Sequence, residues 1–157
     1  MTPPQIFGLQ FALSLVVGSL LARWHVWPRL AALPARRALP PLLFVHATRY
    51  VGLAFLVPTV VPPDVPAAFA VPAAYGDLLA AGLALLALLA LRGEWPGALA
   101  LTWLFNLVGT VDLLYAVSQG VRLEVRLGAA YFIPILVVPV LFITHVMIFA
   151  LLRRRRG

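Results

Sequence analysis

Five apolar stretches of roughly 20 residues recur along the chain, and each is long enough to cross a bilayer. In hydrocarbon no water satisfies a backbone N–H or C=O, so segments of this kind must close their hydrogen bonds internally as helices. The pattern predicts an all-α integral membrane protein, a bundle of five transmembrane helices. The spans fall at about 6–23, 41–61, 73–91, 97–117 and 129–152. Trp24, Trp27 and Pro28 close the first, Pro62 and Pro63 the second, and Arg153 to Arg156 the fifth. They leave no length for a soluble domain, so residues 1–157 read as a single membrane domain.

Composition agrees. The chain is 63% hydrophobic and 11% charged, against about 25% charged in soluble domains. A net charge of +7 does not indicate nucleic acid, because the basic residues lie between apolar spans, where membrane orientation explains them. All twelve are arginine, which excludes a lysine Schiff base and hence a lysine-bound retinal. Without cysteine there is no disulfide, thiol redox or thiolate metal site.

Orientation follows from the arginines. Arg23, Arg29, Arg36, Arg37, Arg92 and Arg153 to Arg156 make nine, against Arg122 and Arg126 on the other side. The positive-inside rule places the N-terminus outside and the C-terminus in the cytoplasm. The N-terminal segment lacks the basic start of a cleavable signal and is expected to remain as the first span. These features suit a bacterial cytoplasmic (inner) membrane. The terminal arginine run would attract anionic lipid.

Few ionisable residues lie inside the spans: His46, Arg49, Asp77, Asp112 and His145. Such groups are costly in hydrocarbon and need partners, a wet pocket or a function. At 100° per residue the fourth span gathers Thr102, Asn106, Gly109, Thr110, Asp112 and Gln119 on half of its circumference, so that face should turn inward. Gly76, Ala80 and Ala84 form a small-xxx-small stripe on the third. The outer loop from Val57 to Pro72 reads as a stiff proline-rich cap, with Phe69 dipping into the interface. Pro134 and Pro139 should loosen the fifth span.

Counted from the span ends, His46 and His145 share a level roughly 8–10 Å below the cytoplasmic boundary, with Arg49 on the face of His46. Asp77 and Asp112 lie four and five residues from the outer ends, Asp77 in the first turn of its helix. The expectation is an inner His–Arg–His layer and an outer Asp–Asp layer, joined by Asn106 and the threonines.

Each group admits several chemistries. His46 and His145 could ligate a b-type haem or bond between helices; no third metal ligand is visible at their level. Arg49 could pair with Asp112 or Asp77, bind an anion, or snorkel to the boundary. Two carboxylates could share a proton, act as an acid–base pair on a lipid, or serve as polar contacts near the interface. Cys, Lys and the motif spacings of rhodopsins, thiol oxidoreductases, P-loop proteins and zinc proteases are all missing. The expected function is binding or transport of a small solute or ion in a pocket of His46, Arg49, Asp77, Asn106, Asp112 and His145, with no cofactor. The rival readings are a membrane enzyme or haem protein, and a structural subunit of an oligomer or membrane complex.

Overall fold

In the computed structural model, which describes residues 1–154, five helices are long and apolar enough to cross a membrane. They are α1 (Pro3–Ala31), α2 (Ala35–Leu56), α3 (Ala67–Arg92), α4 (Ala98–Arg122) and α5 (Gly128–Arg153). No strand forms among the described residues. Arg155 and Arg156 of the terminal arginine run lie outside the described residues.

The connections are short, so successive helices run antiparallel. Arg29, Arg36, Arg37, Arg92 and Arg153 gather at one end of the bundle, called here the arginine-rich end, while Asp64, Arg122 and Arg126 lie at the far end. Helices α2, α3, α4 and α5 form a ring in which each packs on the next and α5 closes on α2. Helix α1 sits outside that ring against α5, and its segment Pro3–Leu21 buries no residue. Tyr131 ties it to α5: its hydroxyl donates to Gln10 Oε1 at 2.5 Å, and its ring meets Phe7 edge-on at 5.8 Å.

Three apolar clusters form among the described residues, a small one of Leu113, Val138 and Leu141 and two larger ones. One, toward the arginine-rich end, packs Leu39 and Leu43 of α2, Ala84 and Leu88 of α3, Phe105 of α4 and Ile148 of α5. The other, toward the far end, packs Phe55, Phe69, Ala70, Ala73, Ala74 and Ala130. Phe69 therefore lies in the core, edge-on to Phe55 at 5.4 Å, and not in the interface. The helix carrying it starts at Ala67, inside what reads as loop, because Pro66 precedes the first turn and needs no helical N–H there. Pro72 removes one further bond, yet the helix continues through it.

The second span is displaced the other way. It begins at Ala35 and ends at Leu56, so Pro40 and Pro41 stand inside it and the residues before Pro62 are loop. Both prolines lie early in the helix, where the carbonyls they free are near its end. From Thr48 to Leu56 the helix tightens to the 3₁₀ form. With three residues per turn, side chains at i and i+3 eclipse. Arg49, Gly52 and Phe55 thus stand in one column, and these three are the buried residues of the segment.

Wider π turns occur at Ala22–Val26 and Ile133–Val137. Pro28 follows the first, Pro134 is the second residue of the second, and Pro139 follows it; each proline withholds the N–H that would close a regular turn.

Candidate functional site

Arg49 is 2% exposed and reaches two carboxylates on two other helices. Its Nε donates to Asp77 Oδ1 at 2.7 Å, and Nη2 lies 2.7 Å from the same oxygen. Nη2 also donates to Asp112 Oδ2 at 2.5 Å, and Nη1 donates to the Gly109 carbonyl at 3.0 Å. A planar guanidinium with five fixed donors suits such a shared pair better than an ammonium would. The two carboxylate side chains are 15% and 16% exposed.

Three glycines make room for this cluster. A Cβ on Gly52 would collide with the Asp77 carboxylate, and one on Gly76 with the Asp112 carboxylate. A Cβ on Gly109 would stand 3.2 Å from Arg49 Nη1 and 2.9 Å from His145 Cε1. The arrangement is cyclic. Helices α2, α3 and α4 each supply one charged side chain and one glycine, and each charge lies over the glycine of a neighbour. The Gly76 stripe is therefore more than a helix-packing device, while Ala80 and Ala84, both fully buried, do pack.

A second layer lies toward the arginine-rich end. His46 of α2 and His145 of α5 are 0% and 1% exposed, with ring centroids 4.1 Å apart. Phe105 of α4 meets both rings, at 5.1 and 5.7 Å. Asn106 Nδ2 donates to the His145 carbonyl at 3.2 Å, so its Oδ1 accepts from His145 Nδ1–H at 2.7 Å. The Thr144 hydroxyl donates to the Val140 carbonyl at 2.8 Å, and its oxygen accepts from His46 Nε2–H at 2.9 Å. These assignments leave His46 Nδ1 and His145 Nε2 as buried acceptors with no partner among the described residues.

The expected grouping is corrected in two respects. Arg49 belongs with the aspartates and not with the histidines. Asp77 and Asp112 also lie deeper than their expected places near the ends. Asp77 is ten residues beyond Ala67 and fifteen short of Arg92; Asp112 is fourteen beyond Ala98 and ten short of Arg122. Asp77 is thus far from the first turn, and the helix-dipole account of it does not apply. The helices extend past the expected ends at 73 and 117, which moves both carboxylates toward mid-span. Gly52 and Thr144 are the site residues that sequence reasoning passed over. A small residue three positions after an intramembrane arginine is the signal that could have found Gly52.

The histidines do not fit a bis-imidazole haem. Two imidazoles facing across a metal, each nitrogen about 2 Å from it, hold their ring centres roughly 6 Å apart. Here the rings touch at 4.1 Å, tilted at 46°. Among the described residues no three His, Asp or Glu side chains gather as a metal site. What the cluster can do is hold charge: two carboxylates face one guanidinium in the bundle interior, and Asp112 borders an open, almost entirely apolar groove on the outer face of α4.

A family model, Domain of unknown function (DUF8737), matches residues 6–153. No curated protein and no solved structure matches the chain.

Proposed function

The chain belongs to the DUF8737 family, and we propose that it binds a proton or small cation at the Arg49–Asp77–Asp112 cluster and through it binds or moves a small solute. One observation carries this reading. Both carboxylates engage the same buried guanidinium, so with both ionised the cluster holds one negative charge too many. An uncompensated charge in hydrocarbon is costly. The excess is offset if one carboxylate holds a proton or faces a bound cation. Asp112, in the groove wall, is the group that exchanges. His46, Asn106 and His145 support it by fixing α2, α4 and α5 around the cluster.

The same reading places the protein in a bacterial inner membrane. The arginine-rich end faces the cytoplasm, with the N-terminus outside. Arg154 lies 5.8 Å over the Trp27 ring, an arrangement suited to the interface. The basic residues at that end attract anionic lipid, worth about 1 kcal/mol each near the surface.

The test is Asp112→Asn, an isostere that keeps the shape and an acceptor for Arg49. Infrared difference spectroscopy of the purified protein in lipid should show a protonated carboxylic acid in the wild type and lose it in the variant. Proteoliposomes of wild type should dissipate an imposed proton or solute gradient that the variant holds. Wild-type behaviour of Asp112→Asn in both measurements overturns the reading.

A second reading, a structural or assembly subunit, is favoured by α1, whose Pro3–Leu21 segment buries nothing within the chain and is free to dock on a second copy or another subunit. It expects Asp112→Asn to be silent in both assays and deletion of α1 to abolish assembly.

A further inference from the structure

We infer that the cluster is loaded sideways, from the bilayer, and that its ligand is a lipophilic organic cation, a hydrophobic amine or phosphonium whose charge meets Asp112 while its apolar part lies on the outer face of α4. The inference rests on the reading of the cluster as a proton or cation site and names the ligand class.

Among the described residues, apolar side chains close the bundle above and below the two polar layers. Toward the arginine-rich end the cluster is roofed by the imidazole layer and then by Leu39, Leu43 and Ile148, all fully buried. Toward the far end Phe55, Phe69, Ala73 and Ala74 pack below it. Arg49, His46, Asn106 and His145 are between 0% and 2% exposed, while the side chains of Asp77 and Asp112 keep 15% and 16% of their surface exposed.

Asp112 borders a shallow, almost wholly apolar groove of about 450 Å³, whose other walls are Leu107, Val108, Val111 and Tyr115. The groove lies at mid-span, where the surroundings are hydrocarbon. An inorganic cation would have to shed its water to travel there. A cation whose charge is shielded by apolar substituents already partitions into that layer. The walls match its substituents, the ring of Tyr115 can face its charge, and the cluster carries the complementary excess of one carboxylate. Binding then displaces the shared proton, which leaves for the medium as the cation takes its place.

Tetraphenylphosphonium is the probe, measured by equilibrium dialysis against the full-length protein in nanodiscs, with a pH indicator in weakly buffered medium. The expected result is one saturable site per chain, with proton release on binding. Affinity should fall by roughly tenfold or more in Asp112→Asn. Val111→Trp fills the groove from a position 66% exposed to lipid and outside the ion cluster; it should lose binding equally while keeping the carboxylic-acid infrared band. Linear, unsaturable uptake, or saturable binding that Val111→Trp leaves unchanged, overturns the inference and returns the groove to a lipid tail. If the infrared band is present but the probe does not bind, the inference falls and the proton site stands. If the band itself is missing from the wild type, the proton-site reading falls with it.

Discussion

The two polar layers of the bundle meet the same cost in opposite ways. The charged layer joins α2, α3 and α4 through full charges whose hydrogen bonds are short and satisfied, and leaves an excess of charge. The imidazole layer joins α2 to α5 through one hydrogen bond and α4 to α5 through two, and leaves two acceptors unpartnered among the described residues. Between them they tie every helix of the ring. In the proposed function the first layer takes up a cation, while the second holds helices at a fixed distance. A buried ion pair is weak evidence of stability by itself, because desolvation offsets the attraction. The proposal that the charged layer is functional rests on its two carboxylates to one guanidinium and on the partial exposure of both aspartate side chains.

Arg49→Leu breaks this contrast hardest. It leaves both carboxylates without a partner, which costs about 3–5 kcal/mol for a buried pair. We expect a large drop in thermal stability in detergent and loss of the folded monomer on gel filtration. A variant as stable as wild type would show that the carboxylates need no guanidinium.

Gly76→Ala comes next. The added methyl meets the Asp112 carboxylate, and overpacking of this sort costs about 1–3 kcal/mol. Gly82→Ala on the same helix meets nothing within 4 Å and should be neutral or slightly stabilising. Equal melting temperatures for the pair would refute the interlock of charge over glycine.

The smallest effect belongs to the imidazole layer. Thr144→Val removes the acceptor of His46 Nε2–H, a change of about 1 kcal/mol, and should leave the carboxylic-acid band in place. Loss of that band would show that the two layers act as one unit rather than two.

Much of the fold was legible in the chain. Long apolar runs locate helices because nothing else satisfies a backbone in lipid, and the polar face of α4 turned inward as its periodicity required: Thr102 and Asn106 are fully buried, while Val111 and Leu114 face out. Helix ends were less legible. Pro72 reads as a stop, yet a proline halts a helix only where its missing N–H cannot be tolerated, while the second helix ends at Leu56, short of Pro62 and Pro63. Because depth was counted from those ends, the carboxylates slid toward the surface and Arg49 was grouped with the wrong neighbours. The 3₁₀ stretch from Thr48 to Leu56 was invisible, since its composition suits an α-helix equally well. That stretch sets Arg49 and Gly52 in one column, so the cradle of the cluster could not be assembled from sequence spacing alone.

The depth of Asp77 and Asp112 has an electrical consequence. A charge near mid-span has crossed roughly half of the transmembrane field, and the full drop is worth about 2.3 kcal/mol per elementary charge at 100 mV. A cation reaching the cluster from water would therefore gain or lose about 1 kcal/mol with the sign of the voltage. One arriving within the plane of the bilayer would already have crossed that part of the field. Occupancy of the site would then report the concentration of the cation in the membrane, and the voltage would act at the step where it enters the lipid.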